Sequence, residues 1–412
     1  MKKITIIGGG ASGQVAGIFA AIEGAKVLII EKNDILGRKV IATGNGRCNY
    51  TNSNATFESE FAYEALKKFT VEDTVSFFRR LGVEPRTEDQ GRMYPYSEQS
   101  IALENALEYK LAELGVEILK DVCLDVKRTS KGKWEVSCEK SGKKLCDAVI
   151  LATGGKAGPQ YGLTGEGYRI AKNLGHGIVK TIPALVALNC HERYFEELSE
   201  LKGVRAKGKV KLIRCSKELK NIEEVLVKGV TIKEEIGEIQ FTKDGLSGIC
   251  IFNLSNYLKL AANEKYYAVI DLVPELTKEK LKERLIERYE NLGNRSEEEF
   301  LTGFLNKKIA KVIGKAAKSE KKDQFILKLV EAIKNFSFEI TGSKGWKEAQ
   351  TTVGGVDLEE INVTTMESKK CEELYFAGEI VDVHGPCGGY NLQWAWTSGA
   401  IAGKEAAIKK GK

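Results

Sequence analysis

Proline is scarce, at 6 residues in 412, and histidine scarcer still, at 3. Set beside 42 glycines, so few prolines exclude a disordered or collagen-like chain, because the glycines lie among apolar runs and follow no three-residue period. The 9 cysteines are widely spaced, form no Cys-x-x-Cys pair, and have only His176, His191 and His384 to join them. Neither a zinc site nor a disulfide framework is expected, and no other metal. No uncharged apolar run approaches the roughly 18 residues of a spanning helix. The opening Met1-Lys-Lys-Ile-Thr-Ile-Ile-Gly8 reaches glycine before a signal-peptide core can form, so a soluble, cytoplasmic protein without a membrane partner is expected. A strong charge imbalance is absent too: 63 basic against 57 acidic residues give a formal +6, which sets solubility and does not point to nucleic acid.

What is present is enough apolar sequence, 42% of the chain, to fill two or three domains at this length. Lys3 to Ile7 reads as a buried parallel strand, Ala11 to Gly24 as a helix, and Lys26 to Glu31 as a second strand, making a βαβ unit. Helical spacing recurs over 62–82 and 98–115, separated by a polar loop from Glu84 to Ser97. A β-meander is expected over 116–150, closing on the buried strand Asp147 to Ala152. Residues 190–275 look strand-rich and 276–335 helical and lysine-rich. A strand over 373–377 and a helix from about Asn391 to Ala407 finish the chain.

The strand, Gly8-x-Gly10-x-x-Gly13 and Glu31 form a dinucleotide fingerprint. Gly8 permits the turn, Gly10 admits a pyrophosphate near the backbone, Gly13 lets helix and strand pack, and the helix N-terminus faces the phosphates. Glu31 would accept from ribose hydroxyls, which disfavours a 2′-phosphate. The fingerprint alone does not separate NAD from FAD. Three later segments favour FAD: the strand ending in Ala152-Thr153-Gly154, the strand ending in Gly378-Glu379 with Asp382, and Gly388-Gly389-Tyr390-Asn391-Leu392 opening a helix whose amides could stabilise a reduced flavin. Gly162-Leu-Thr-Gly-Glu-Gly167 lacks a preceding strand, so no separate NAD(P)H domain is visible.

Gly37-Arg-Lys-Val-Ile-Ala-Thr-Gly-Asn-Gly-Arg-Cys-Asn49, the Ala-Thr-Gly-Gly strand, Thr351 to Val356, Gly378-Glu379 and Gly388 to Trp396 resemble a bacterial family of FAD-dependent flavoproteins, among them aminoacetone oxidase and 3-dehydro-bile acid Δ4,6-reductase. The resemblance implies an α/β fold: a Rossmann-like FAD-binding domain of the two-dinucleotide-binding flavoprotein type, over 1–189 and 346–412, interrupted by a β-rich plus helical insert over 190–345. By position it implies that Gly8, Gly10, Ser12 and Gly13 meet the pyrophosphate, and Glu31 and Lys32 the adenosine end. Lys39, Thr43, Gly44, Asn45, Gly46 and Cys48 would line a loop near the flavin, and Val122 would reach the adenine through its backbone. Thr153, Gly154, Gly378, Glu379, Asp382, Gly389, Asn391 and Leu392 complete the cofactor set. Cys387 departs from the family pattern. Flavoprotein disulfide reductases use two cysteines four residues apart on one helix, which Cys48 and Cys387 are not, so both thiols are expected to be packing.

His384 and Tyr94 are the candidate catalytic residues, each able to donate to a carbonyl oxygen, although each would equally suit an exposed loop. Arg92 and Tyr96 share the polar loop with Tyr94. The lysine run from Lys307 to Lys322 has apolar residues at helical spacing between its charges and no aromatic platform, which fits a solvated helix face. The function expected is hydride delivery from reduced FAD to the far carbon of a conjugated enone, with a 3-oxo-Δ4,6 bile acid as the small-molecule substrate and NAD(P)H as donor. An FAD-dependent amine oxidase using O2 is the rival enzyme, and a flavin-bearing sensor protein the rival of another class. Oligomeric state is not legible.

Overall fold

The computed structural model describes residues 1–219, 221–292 and 295–408; the last four positions of the expected C-terminal FAD segment, and positions 220, 293 and 294 of the expected insert, lie outside the described residues. The chain divides into two compact units, Met1–Pro183 with Gln350–Lys412, and Ala184–Ala349. The expected boundary at 189/190 would cut the short strand Leu188–Cys190, which belongs to the second unit's barrel.

The first unit is built on a parallel sheet. β1 (Lys3–Ile7), β2 (Lys26–Glu31), β6 (Glu117–Lys120), β10 (Ala148–Leu151) and the C-terminal strand Leu374–Phe376 lie in the order C-terminal strand, β10, β1, β2, β6. β1 and β10 are buried on both faces, which is why they read as unbroken apolar runs. β6 carries three exposed residues of four, so the sequence placed it in the meander, whereas it pairs in parallel with β2 as an edge strand. The meander proper is antiparallel: β7 (Cys123–Arg128), β8 (Trp134–Cys138) and β9 (Gly142–Cys146).

The helix expected over 62–82 is two, α3 (Glu60–Leu66) and α4 (Val71–Arg80). Thr70 starts the second with a capping box, its hydroxyl accepting from Asp73 N–H while the Asp73 carboxylate accepts from Thr70 N–H. Much of the expected loop from Glu84 to Ser97 is strand: β4 (Pro85–Thr87) and β5 (Arg92–Pro95) pair antiparallel, and β5 also pairs with β3 (Thr51–Asn52). Runs of two to four residues are too short to show a period, and hydrogen bonding to neighbours decides them.

The second unit is a closed six-stranded barrel, Leu188–Cys190, Gly245–Ser247, Val230–Phe241, Arg205–Ser216, Glu264–Asp271 and Phe336–Ser343, with helices Lys278–Leu292, Lys307–Ala317 and Lys322–Lys334 between its last two strands in sequence. The lysine run from Lys307 to Lys322 spans the helix Lys307–Ala317 and the start of the next, and the first of these has one apolar side: Ile309, Ala310, Ile313 and Ala317 are buried, while Lys311 and Lys315 pair with Glu200 at 3.2 and 2.9 Å. The closing strand after these helices was not foreseen.

Two helices hold the first unit's segments together, α1 (Ala11–Ile22) and the C-terminal helix Tyr390–Ala407. They touch backbone to backbone: a Cβ at Gly399 would lie 2.5 Å from the Ser12 carbonyl oxygen, and one at Gly403 2.3 Å from that of Ala16. In an open helix Gly→Ala gains about 1 kcal/mol. Here overpacking against a fixed carbonyl costs about 1–3 kcal/mol. Gly403→Ala is therefore expected to lower the thermal midpoint despite its better helix propensity, and a raised midpoint in a melting curve would refute the close packing.

Candidate active site

The C-terminal ends of all five parallel strands share one edge, where ligands of open α/β sheets bind. Past β1, Gly8 has φ +104° and its missing Cβ would fall 2.4 Å from the Ala152 carbonyl oxygen; that of Gly13 would fall 1.9 Å from the Gly8 oxygen. Neither site admits a side chain. Gly10 differs: a Cβ there would meet nothing within 4 Å, so this face of the turn is open. α1 starts at Gly10 with no side-chain cap and no acidic residue in its first turn, leaving amide donors and a positive helix end for an anion. An open approach beside uncapped amides fits the diphosphate of a dinucleotide.

Glu31, 8% exposed, ends β2 with Oε2 accepting from Gly9 N–H at 2.7 Å and Oε1 accepting from Asn33 N–H at 2.8 Å and Asn33 Nδ2 at 2.7 Å. Since each carboxylate oxygen takes two donors, Oε2 keeps capacity for one hydroxyl. Lys32 is turned to Glu166 at 2.8 Å. The Ser12 hydroxyl donates to the Ala377 carbonyl at 3.2 Å, and the Gly378 N–H donates to Ser398 Oγ at 2.9 Å, so α1 and the C-terminal helix together fix the end of the last strand. Lys39 pairs with Glu379 at 2.7 Å, whose other oxygen accepts from Thr352 N–H at 2.8 Å, and Asp382 accepts from Gly354 N–H at 2.9 Å. Thr153 follows β10 with its hydroxyl buried and unpartnered, and Gly154 has φ +69°.

Val122 follows β6, but its N–H already donates to Asp121 Oδ1 at 2.7 Å and its carbonyl accepts from Glu139 N–H at 3.0 Å. Only the second lone pair of that carbonyl is left to reach an adenine. The Ser141 hydroxyl and nearby amides hold the Asp121 carboxyl at about 2. No sequence signal marked Asp121.

The loop between α2 (Arg38–Ala42) and β3 turns through left-handed backbone at Gly44, Asn45, Gly46 and Cys48. The Thr43 hydroxyl donates to the Val40 carbonyl at 2.6 Å. The Cys48 side chain points into the core, and burial pushes its thiol up to about 12, the reverse of a reactive cysteine. Tyr94, expected in a polar loop, is buried in β5 at 9% exposure, with the Arg47 guanidinium 4.3 Å from its ring centroid and its ring edge beside Gly44. Arg47 also pairs with Glu88 at 2.5 Å and Glu98 at 3.3 Å. Arg47 sits inside the loop the family resemblance named, yet it was not singled out, because its role depends on a ring 47 residues further on.

β3 ties this loop to the C-terminal helix. Asn52 Nδ2 donates to the Gly388 carbonyl at 2.8 Å, and Gly389, at φ +98°, leaves space that a Cβ would lose 2.4 Å from the Thr51 oxygen. Arg92 flanks Gly388 and donates to Gln90 at 2.6 Å, while Tyr96 is exposed. Asn391 accepts from Gly385 N–H at 2.9 Å and donates to its carbonyl at 3.0 Å, which pins the segment carrying the half-buried His384; Leu392 and Cys387 are also half-buried. The expected cofactor residues thus gather along the sheet edge and the loops that continue it, with Tyr94 and Arg47 added from β5 and its neighbouring loop. Among the described residues no group of three or more His, Cys, Asp or Glu side chains could hold a metal, and no helix is long and apolar enough to cross a membrane.

The HI0933-like protein Rossmann domain family matches residues 2–405. The chain is 34% identical to 3-dehydro-bile acid delta(4,6)-reductase of Clostridium scindens over 99% of both chains, and 28% identical to the ribosomal RNA dihydrouridine synthase of Escherichia coli over 95% of both. Among solved structures it is similar to the 3-ketosteroid-Δ4-(5α)-dehydrogenase of Rhodococcus jostii, at 15% identity and a TM-score of 0.49, covering 99% of this chain and 97% of that one. The chain belongs to the HI0933-like Rossmann-domain family, the FAD-dependent oxidoreductases that its own motifs resemble.

Proposed function

We propose that the protein is a reductase of carbon–carbon double bonds conjugated to a carbonyl, using FAD, with NAD(P)H as donor and a 3-oxo-Δ4,6 bile acid as the favoured substrate. The observation that carries the reading is 34% identity, across 99% of both chains, to a relative whose name describes that reduction. Bound FAD would supply the hydride. The chain's part is to fix the cofactor and to meet the charge that grows on the substrate carbonyl oxygen. Tyr94 is suited to the second task, because a phenol buried under a guanidinium is a stronger donor than one in water. His384 is the second proton holder.

A uridine in RNA is the second reading, favoured by the 28% identity over 95% of both chains to a dihydrouridine synthase. Saturating the double bond of a uracil ring is also reduction beside a carbonyl, so the two relatives' names share a reaction class and differ in substrate. The absence of a nucleic-acid partner, expected from the charge, becomes an arm of the test.

The holoprotein should bleach with NADH or NADPH without oxygen, and a 3-oxo-Δ4,6 bile acid should then restore the flavin spectrum and gain two mass units per bond. Reoxidation by unmodified ribosomal RNA alone would favour the second reading. Bleaching by aminoacetone alone would mark an amine oxidase and sink both. Tyr94→Phe should keep its flavin but slow substrate-driven reoxidation on the order of 10²–10³-fold, as expected for one lost donor at a developing oxyanion; an unchanged rate would remove Tyr94 from the mechanism. Gly10→Val should melt like the parent, its Cβ having free space, yet purify without flavin. A yellow, fully loaded Gly10→Val protein would refute the assigned approach of the diphosphate.

A further inference from the structure

Glu104 of α5 (Ser100–Glu113) is 1% exposed and has no place in the scheme above. Its Oε1 accepts from Gln14 Nε2 at 2.5 Å, while its Oε2 has no hydrogen-bond partner and packs so closely on Gly37 that a Cβ there would lie 1.8 Å away. Gln14 is fully buried in α1, and the same amide nitrogen donates to the Gly9 carbonyl at 3.2 Å. That carbonyl also accepts from Gly37 N–H at 3.0 Å, and Gly9 N–H is held by Glu31. A single amide therefore joins a buried carboxyl to the middle of the dinucleotide turn.

Among the described residues no cation is paired with Glu104. α1 carries no charged side chain. On α2, Arg38 reaches toward Asn33 and Lys39 pairs with Glu379; on β5, Arg92 is bonded to Gln90 and Tyr94 lies under Arg47. The titratable neighbours are Glu108, one turn along α5, which opposes ionisation, and the Cys48 thiol, which burial keeps neutral. Glu104 Oε2 and Gln14 Oε1 are both buried without a hydrogen-bond partner, which disfavours a full charge on the carboxyl. Burial accordingly raises Glu104 to about 7 against the pull of the Gln14 bond.

We propose that Glu104 is a positioning residue whose proton is coupled to cofactor binding: neutral and linked through Gln14 to Gly9, it sets the turn for a diphosphate, and ionised it opposes one. The proposal rests on FAD occupying this turn. The step forms only an O–H bond, its proton coming from solvent. Because the diphosphate brings negative charge to the other side of the turn, it favours the neutral carboxyl, so binding takes up a proton. Affinity is then full at pH values below the free-protein value near 7 and falls as pH rises through it, by at most about tenfold per unit.

The test is FAD binding to the flavin-free protein, followed by flavin fluorescence at about pH 6 and about pH 8.5. The parent should weaken on the order of tenfold between them, and Glu104→Gln should show the same affinity at both. Calorimetry near pH 7.5, in two buffers of different ionisation enthalpy, should report proton uptake by the parent, a measurement that stands even if the variant does not fold. Equal pH slopes for parent and variant, or heats independent of buffer, would overturn the coupling while leaving the FAD assignment intact. A parent that binds no FAD at either pH would overturn both.

Discussion

The first unit depends on one contact without side chains, the crossing of α1 and the C-terminal helix at Gly399 and Gly403. Most of the chain separates these helices in sequence, and only glycine lets their backbones approach so closely. What the crossing positions is the cofactor edge. Ser12, under Gly399, bonds the carbonyl before Gly378, while Ser398 holds the Gly378 amide and Trp394 Nε1 donates to the Gly378 carbonyl at 3.0 Å. A site assembled from both ends of a chain needs such a lock, since loop closure over this length is costly and no disulfide supplies it.

The same helix fixes the β3–β5–β4 sheet. Gln393 is wholly buried, accepting from the Thr51 hydroxyl at 2.6 Å and donating to Thr74 at 2.8 Å and Thr397 at 3.0 Å; Thr397 donates to the Phe69 carbonyl at 2.8 Å. A buried amide with its hydrogen bonds made by partners from β3 and α4 specifies one arrangement, where apolar contact alone would tolerate several. Tyr94 owes its fixed depth to that network, because β5 pairs with β3.

How far the sequence could be read follows from the range of the forces involved. β1, the glycine turn, α1 and Glu31 were legible because the fingerprint is local: strand, turn and helix each bring their own pattern within thirty or so residues. The strand edges at Thr153 and Gly378 were legible for the same reason. β6 was misassigned because an exposed edge strand resembles a meander strand until its parallel partner is known. β5 was missed because four residues containing Arg92 and Pro95 have no period, and the barrel's last strand because a run of helices intervenes before it closes. The link from Gln14 to Glu104 spans 90 positions, and nothing in either local pattern predicts it.

Backbone strain connects the loop from Gly44 to Cys48 to the chemistry proposed at Tyr94. Asn45 and Cys48 hold left-handed backbone without being glycine, at a cost of about 1–3 kcal/mol each. Such strain persists only where its surroundings enforce it. The Cys48 N–H donates to the Thr43 carbonyl at 3.2 Å and the Arg47 N–H to the Gly44 carbonyl at 3.1 Å, while the fully buried Cys48 side chain anchors the far end. Arg47 leaves this turn where Glu88 and Glu98 can hold its guanidinium over the Tyr94 ring. The thiol at Cys48 therefore acts as a small apolar anchor, and the group it sets in place is the arginine before it.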